Sequence, residues 1–496
     1  MKLSHKLLTI LLAGIVVFSS GGISSYASQT TGSNQSKTQT TGGSGSSTAT
    51  GTAGEDASEE DGDNGEDIEA EIPEIPVESN EIDGWPQGPQ VSAESAIVME
   101  AQTGTILYAK NIDAAEYPAS ITKIITCLLT LENMDLNDEV TITHDPVTTG
   151  QNIALKKGET LKVKDLLYAL MLHSSNDAAE VLAIAVGGDF DTFAEMMNER
   201  AKECGAKNTT FHNPNGLNPD GQEHNWTTAY DISMMAREAM KNPTFRKLVT
   251  TTHHKIPTTN LSKERKLKTT NPCLGVYDGI TGVKTGTSKT AGFCFCGSAK
   301  RGNTELIAVS LNSGEDQRFT DVTKLLDYGF ANYRTYTAEK GGKALKEVKV
   351  RRGDLHSVEA GLTQDLDLTL AKKDKGEGIT TEVKLSEEKL TAPVKKGVQV
   401  GTVTAYDKNH KKLAEAKLVT LESAKKGGIL SYIGIADEDR GVFLVGLLIA
   451  VVLVILILLI LRRMRRKKRA RRKAQRNRAI RRRAREREKD PFNRNV

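Results

Sequence analysis

A serine and a lysine stand three residues apart in an apolar, β-branched stretch, PASITKIIT, which runs from Pro118 to Thr126. If the stretch is helical, Ser120 and Lys123 lie on one face and can touch. Loss of water around the lysine favours its neutral form, and a neutral amine can remove the proton that keeps a serine hydroxyl a weak nucleophile. The pair is a candidate nucleophile and base, although S-x-x-K spacing also arises by chance on ordinary surface helices.

Two further motifs follow along the chain. Ser174-Ser175-Asn176 lies between two predicted helices, where its hydroxyl and amide groups either face a cleft or merely form an interhelical loop with a capping residue. Lys284-Thr285-Gly286 opens a predicted strand and supplies a cation, a hydroxyl and a glycine that lets a ligand backbone approach. For Lys284-Thr285-Gly286, the third motif, the alternative is a polar strand edge. The order of all three motifs, and not any one of them, favours a catalytic site.

Hydrophobic periodicity predicts the elements that must position these motifs. The segment AIVMEAQTGTILYAKN predicts a hairpin around a Gln-Thr-Gly turn, and Phe293–Ala299 with Glu305–Leu311 predicts a second one. Apolar residues three and four apart predict helices between and after the hairpins. The predicted helices are Ser120–Leu131, Leu161–Leu172, Asp177–Val186, Phe190–Cys204, Thr228–Met240 and Val322–Tyr333. This order predicts an α+β fold in which both ends of the domain supply one antiparallel sheet flanked by helices.

A second folded unit is predicted after this α+β domain. The segments DLDLTLAK, EVKLSEEKL and VQVGTVTAYD alternate apolar and polar residues with a period of two. They predict a small all-β domain at 345–424, following a catalytic domain at 89–335. The β domain shows no motif that could do chemistry.

Both termini carry targeting signals. Residues 1–27 have a basic start, an apolar run and small residues before Ser28, which predicts a cleaved signal peptide; an uncleaved anchor helix is the alternative. Residues 28–88 are rich in Ser, Thr and Gly and then acidic, so they are predicted to be a disordered linker. Residues 441–461 carry no charge and are long enough to cross a bilayer. The basic segment 462–496 places that tail in the cytoplasm and the preceding domains outside.

The charge and the cysteines narrow the class of protein further. The formal net charge is +4, but the tail after position 461 alone has 19 Lys and Arg against 3 Asp and Glu. Because the positive charge is concentrated in this tail, the charge of the globular part does not indicate nucleic-acid binding. Five cysteines in irregular spacing do not form a disulfide framework or a metal site and are predicted to be core thiols. They are Cys127, Cys204, Cys273, Cys294 and Cys296.

Together, S-x-x-K, S-x-N and K-T-G in this order resemble the motif set of the serine β-lactamase and penicillin-binding protein superfamily. From about residue 89 to residue 333 the chain is similar to the low-molecular-mass penicillin-binding proteins, the D-alanyl-D-alanine carboxypeptidase group. The first hairpin, FHNPNGLNPDGQEHNWTTAYDI and YDGITGVKTGTSKTAGFCFCGSAKRG extend the resemblance beyond the triplets. The β domain stands where that group carries its small second domain.

The resemblance implies roles for individual residues. Ser120 would form the acyl-enzyme with a stem peptide ending in D-Ala-D-Ala, Lys123 would accept the serine proton, and Ser174 would relay a proton to the leaving amine. Substrate contacts would come from a larger set around the cleft. That set is Asn176, Lys284, Thr285, Gly286, Thr287 and Arg318, and for Arg318 a surface ion pair is an equal alternative.

The resemblance also implies partners and leaves alternatives open. No metal or organic cofactor is required, and β-lactams should acylate Ser120. The uncharged run 441–461 should hold the protein in the cell membrane by one span, whereas that group often ends in an amphipathic helix that lies on the membrane. Anionic lipid is the expected partner of the basic tail, and no nucleic-acid partner is expected. A DD-endopeptidase, a β-lactamase or a non-catalytic β-lactam sensor are the alternatives. The β-lactamase class needs a deacylating glutamate. Glu223, which lies between the second and third motifs, is not a convincing counterpart of that residue.

Overall fold

The computed structural model describes residues 75–147, 149–218 and 221–488. The predicted signal peptide and most of the predicted linker lie outside these residues. The prediction of an α+β domain followed by a small β domain and one long apolar C-terminal helix is confirmed.

A five-stranded antiparallel sheet forms the centre of the catalytic domain, in the order β2-β1-β9-β8-β7. The first hairpin pairs with the third strand of the later segment, so both ends of the domain build one sheet, as predicted. The strands are β1 Ser95–Glu100, β2 Ile106–Lys110, β7 Ile280–Ser288, β8 Gly292–Arg301 and β9 Thr304–Ser313.

Helices cover both faces of this sheet, which explains why β1, β8 and β9 are buried along almost their whole length. Ile97 and Met99 face a core shared with the helices between the hairpins. Ala96 and Val98 face the last helix of this domain, Gln317–Asn332. The helices are α1 Lys123–Asn133, α2 Val163–Leu172, α3 Asn176–Gly187, α4 Phe190–Cys204, α5 Ala229–Ala239, α6 Pro243–Thr250 and α7 Gln317–Asn332.

Some short elements escaped the sequence-based predictions. The helix α6 begins at a proline behind the cap Asn242, whose side chain accepts from the backbone of Thr244. Two small hairpins stand outside the main sheet. Their strands are β3 Glu139–Thr141, β4 Thr160–Lys162, β5 His253–Ile256 and β6 Arg265–Lys268.

Residues 77–88 belong to the packed structure, which corrects the end of the predicted linker. Val77 and Ser79 are buried against the back of β2, and the Ser79 hydroxyl donates to the Ala109 carbonyl at 3.5 Å. The Asn80 side chain accepts from the Gly88 backbone at 2.6 Å. Composition suggested disorder because this apolar anchor is a single valine within an acidic stretch.

The β domain combines a six-stranded sheet with a two-stranded ribbon, β10 with β13. The six-stranded sheet runs in the order β14-β16-β17-β12-β11-β15, with a parallel pairing between β11 and β15. The strands are β10 Tyr333–Glu339, β11 Ala344–Arg351, β12 Ser357–Gly361, β13 Leu366–Ala371, β14 Thr380–Leu385, β15 Lys389–Thr391, β16 Gln399–Tyr406 and β17 Lys412–Thr420.

The C-terminal helix α8, Arg440–Glu488, is the one described helix that is long and apolar enough to cross a membrane. Its apolar section is exposed on all sides, unlike a core helix of a soluble domain. The basic residues that follow continue the same helix.

Candidate active site

Ser120 lies in a tight turn at the start of the central helix. The turn is a single 3₁₀ segment, Ala119–Thr122, and α1 begins at Lys123. Ala119 adopts φ 44°, a left-handed conformation that a residue with a side chain rarely takes. The predicted helix is therefore present, but its first turn is wound more tightly and holds the serine at the edge of the cleft, where it is half-buried.

The Lys123 amine is fully buried and touches three oxygen atoms. Its Nζ lies 2.8 Å from Ser120 Oγ, 2.8 Å from Asn176 Oδ1 and 2.7 Å from the Asn215 carbonyl oxygen. A neutral amine has two N–H donors and one lone pair. The carbonyl and amide oxygens can only accept, so they suit the two donors, and the lone pair is left for the serine hydroxyl. The contacts therefore match an amine that receives the serine proton.

Burial lowers the pKa of Lys123 well below its ordinary value. The nearby Lys284 cation lowers the pKa of Lys123 further, whereas Asp177 and Glu180 oppose the shift. None of these three oxygen acceptors belongs to a carboxylate. Burial, as the largest influence, therefore shifts this amine towards its neutral form.

The Asn213–Leu217 segment contributes a group that the sequence analysis did not name. The Asn215 carbonyl accepts from Lys123, and the Asn215 side chain reaches Glu180 at 3.4 Å. Gly216 adopts φ 81°, and a methyl group there would lie 1.8 Å from the Ala119 carbonyl oxygen. Only glycine therefore lets this segment pack against the Ala119–Thr122 turn that carries Ser120, called the nucleophile turn below after the predicted role of Ser120.

The second motif joins the same cleft between α2 and α3. Ser174 has φ 61°, which turns its side chain towards β7, and its hydroxyl accepts from the Lys284 amine at 2.9 Å. Asn176 starts α3 and donates from its side chain to the Thr149 carbonyl at 3.0 Å. The Ser175 hydroxyl is buried without a partner among the described residues. Of the two serines, Ser174 is the one in contact with the third motif.

Lys284 is the second buried lysine of the site. Its amine donates to Ser174 Oγ and, at 2.8 Å, to the Thr285 carbonyl. Burial, with help from the Arg318 cation, lowers the pKa of Lys284 to about 7. The Thr285 hydroxyl lies 2.7 Å from that of Thr270. The strand therefore carries a cation whose charge changes near neutral pH.

The end of β7 faces the nucleophile turn. A methyl group at Gly286 would lie 3.0 Å from the Pro118 carbonyl oxygen, so the close approach at this glycine comes from the protein's own turn. The Arg318 guanidinium donates to the Gly286 carbonyl at 3.0 Å and to the Thr287 hydroxyl, and its plane packs near Phe319. These contacts replace the surface ion pair that was the alternative for Arg318.

The structure brings the predicted residues of all three motifs to one cleft, along with Arg318. It adds the Asn215 carbonyl and Glu180, which the sequence analysis did not place in the site. In the sequence, Asn215 is marked only by its position in the Asn-Pro-x-Gly-Leu part of the segment FHNPNGLNPDGQEHNWTTAYDI. Glu180 does not lie in any of the three motifs. Glu223, the glutamate that a β-lactamase would need, is exposed and paired with His212 at 2.9 Å.

The described part of the chain offers no cluster of metal ligands, and its cysteine thiols are buried. No group of three or more His, Cys, Asp or Glu side chains there could hold a metal ion. All five cysteines are free and buried, as predicted for core thiols. Burial raises the pKa of Cys204 to about 11 and that of Cys294 to about 12, so these thiols stay protonated and inert.

Sequence comparisons identify relatives for both domains. The profile of the D-alanyl-D-alanine carboxypeptidase family matches residues 84–315, and the profile of the penicillin-binding protein 5 C-terminal domain matches residues 333–426. The chain is 34% identical to D-alanyl-D-alanine carboxypeptidase DacF of Bacillus subtilis over 348 residues, which cover 69% of this chain and 88% of DacF. It is 31% identical to DacC of Escherichia coli over 355 residues, covering 69% of this chain and 86% of DacC.

Solved structures show the same two-domain arrangement. Penicillin-binding protein 5 from Haemophilus influenzae aligns with a TM-score of 0.55 and 28% identity, covering 68% of this chain and 99% of that protein. The peptidoglycan synthesis regulatory factor PBP3 from Streptococcus pneumoniae aligns with a TM-score of 0.55 and 26% identity, covering 68% and 100%.

Proposed function

Because this chain belongs to the D-alanyl-D-alanine carboxypeptidase family of serine hydrolases, we propose that it removes the terminal D-alanine from peptidoglycan stem peptides ending in D-Ala-D-Ala. The observation that carries this proposal is the buried Lys123 amine 2.8 Å from the Ser120 hydroxyl. A base and a nucleophile in hydrogen-bond contact are the minimum that acyl transfer through a serine requires.

In the acylation step, Ser120 Oγ attacks the carbonyl carbon between the two D-alanines and its proton passes to Lys123 Nζ. The backbone N–H groups of Ser120 and Thr287 stabilise the oxyanion, which is worth roughly 3–4 kcal/mol in other acyl-transfer sites. The carbon–nitrogen bond then breaks, and Ser174 relays a proton to the departing amine. The product is an ester on Ser120 and free D-alanine.

In the second step, water attacks the ester carbonyl and gives one proton to Lys123. The bond to Ser120 Oγ then breaks, that oxygen takes the proton back, and the peptide shortened by one D-alanine leaves. The Asn176 side chain holds the substrate and the Lys123 amine in register. The terminal carboxylate binds near Lys284, Thr285 and Thr287, where Lys284 and the neighbouring Arg318 supply positive charge. Arg318 supports this subsite by fixing the end of β7 through the Gly286 carbonyl.

β-Lactams carry an amide of similar shape and a carboxylate, so they are expected to acylate Ser120 and to leave slowly. Labelling with a fluorescent penicillin should occur in the wild type and be lost in Ser120→Ala. Equal labelling of both proteins would refute the assignment of Ser120 as the nucleophile.

The apolar section of α8 is proposed to cross the cell membrane once. The catalytic and β domains would lie outside and the basic tail in the cytoplasm, following the positive-inside rule. The domain limits 89–335 and 345–424 are part of this proposal, as is binding of anionic lipid by the tail.

The test of the reaction is mass spectrometry of the purified full chain incubated with a pentapeptide ending in D-Ala-D-Ala. We expect loss of one alanine residue, abolished in Ser120→Ala. A cross-linked muropeptide dimer in a parallel incubation separates carboxypeptidase from endopeptidase activity. An intact pentapeptide together with cleaved dimer would contradict the carboxypeptidase proposal.

A further inference from the structure

A pocket of about 400 Å³ opens at one end of the β domain, away from the catalytic cleft. It lies between β11, the start of β15 and the segment 431–436 that precedes α8. Four side chains that are always cationic line it, together with one histidine and one tyrosine, and no acidic residue does. They are Lys349, Arg351, Arg352, Lys389, His356 and Tyr432.

The lysines of this pocket stand against each other. Lys349 is directly opposite Lys389 in the parallel register of β11 and β15, and both are exposed. Like charges in directly opposite positions destabilise a sheet. Within the described residues neither lysine forms an ion pair, whereas Lys340 in the same domain is paired with Asp365 at 2.6 Å. The pocket therefore concentrates positive charge that the protein does not neutralise.

Apolar side chains project beside this charge. The 3₁₀ segment Ile429–Ile433 leaves Ile429 89%, Tyr432 65% and Ile433 70% exposed. The Arg352 guanidinium lies 5.3 Å from the centre of the Tyr432 ring. Exposed aliphatic and aromatic residues next to basic groups are typical of protein surfaces that sit at a membrane interface.

The pocket is fixed to the start of the long helix. The Asp437 carboxylate accepts from the Gly428 backbone at 3.0 Å, and Glu438 Oε1 accepts from the His356 backbone at 2.6 Å. These acidic residues are thus engaged with backbone donors at the pocket edge, immediately before α8 begins at Arg440. If α8 crosses a membrane, the pocket must lie at the level of the lipid headgroups.

We propose that this pocket binds the phosphodiester headgroup of an anionic phospholipid in the leaflet on the side of the catalytic domain. Ile429, Tyr432 and Ile433 enter the interface, and the four cations surround the phosphate. The inference rests on the proposed membrane span. Its consequence is that the β domain is seated on the bilayer and does not swing freely above it.

The test uses the full chain in nanodiscs of neutral phosphatidylcholine, with or without 30 mol% phosphatidylglycerol. Hydrogen–deuterium exchange is read on peptides covering 349–356, 429–433 and 441–461. We expect phosphatidylglycerol to slow exchange in the first two peptides about tenfold. Arg351→Glu with Lys389→Glu removes the net pocket charge and should abolish that effect, because each basic residue near an anionic surface contributes about fivefold in affinity.

A matched control keeps the charge change and moves its position. Lys372→Glu with Lys373→Glu alters exposed lysines next to the catalytic domain, where the Lys372 backbone donates to the Asn332 carbonyl; it should retain the lipid effect. The pocket variant is expected to fold, because Glu at 389 faces Lys349 and relieves a repulsion. Circular dichroism and thermal unfolding of each variant verify the fold.

The outcomes are separable. Equal protection in neutral and anionic nanodiscs, or no protection of 349–356 and 429–433 while 441–461 is protected, overturns the lipid site. Protection reproduced by 10 mM inorganic phosphate in neutral nanodiscs also overturns it, in favour of a free-phosphate site. Loss of protection in 441–461 would contradict the proposed membrane span. None of these outcomes bears on the peptidase proposal.

Discussion

The cleft around Ser120 and the pocket of the β domain each bring two lysines together, but one pair is buried and the other is exposed. Lys123 and Lys284 are buried, and each amine is surrounded by neutral oxygen atoms that hold it in one orientation. Lys349 and Lys389 face each other in water, and neither forms an ion pair within the part of the chain that the structure describes. Burial lowers the pKa of both Lys123 and Lys284 and so favours their neutral forms. The exposed pair instead offers two basic side chains to an anion that arrives from solvent.

The strongest test of this contrast replaces each kind of lysine with arginine, which stays protonated and therefore cannot accept a proton. Lys123→Arg should lower the second-order rate of acylation by fluorescent penicillin 10²- to 10⁴-fold, the usual contribution of a general base. Lys389→Arg should leave that rate unchanged. Because the buried site has little room for a guanidinium, Lys123→Gln and thermal unfolding accompany the measurement. Near-normal acylation in both Lys123 variants would exclude Lys123 as the base.

A glycine substitution tests how tightly the cleft is built. In Gly216→Ala the new methyl group would meet the Ala119 carbonyl, so the nucleophile turn must shift. Acylation should fall about 10- to 100-fold, since small displacements of reacting groups carry such costs. Gly397→Ala in the β domain is the matched control. It has a similar φ of 86° with nothing within 4 Å and should only lower thermal stability slightly. Equal acylation by the two variants would contradict the proposed packing.

The pH dependence of the free enzyme tests the second buried lysine. The pKa of Lys284 is lowered to about 7, so its charge is present below that pH and lost above it. We expect kcat/KM for the D-Ala-D-Ala peptide to fall by up to tenfold per pH unit on the alkaline side of about pH 7. Lys284→Arg should remove this limb. An alkaline limb that stays in the arginine variant would assign it to another group.

The smallest expected effect concerns the exposed pair. Lys389→Thr removes a like-charge contact and adds a residue with high β propensity, so the free energy of unfolding should rise by a few tenths of a kcal/mol. Urea titration at low and high salt measures it. The gain should shrink at high salt because ions screen exposed charges. A loss of stability at low salt would mean that Lys389 makes a favourable contact.

The motifs predicted most of the side chains that the structure brings together, but not Glu180, which lies in no motif, or the groups that depend on backbone geometry. Ser120, Lys123 and Lys284 stand in motifs whose residue types are themselves the signal. The Asn215 carbonyl is a backbone group that any residue could supply, and only Gly216, which permits the close approach, leaves a trace in the sequence.

The fold shows a similar division. Long amphipathic segments such as Phe190–Cys204 were predicted to the residue, since their apolar periodicity and capping residue agree. The short α6 and the hairpins of β3 to β6 were missed, because three to eight residues carry too little periodic signal. The parallel pairing of β11 with β15 joins distant segments and could not be predicted from alternation alone.

The antiparallel sheet of the catalytic domain has a consequence for how the protein is made. β1 pairs with β9, whose residues follow it by roughly two hundred positions. A nascent chain that has just emerged can form α1 to α6 but has no partner for one edge of β1. The nucleophile turn and the Lys284 strand thus meet only late in synthesis, so a truncated chain carries Ser120 and Lys123 without a cleft for them to act in.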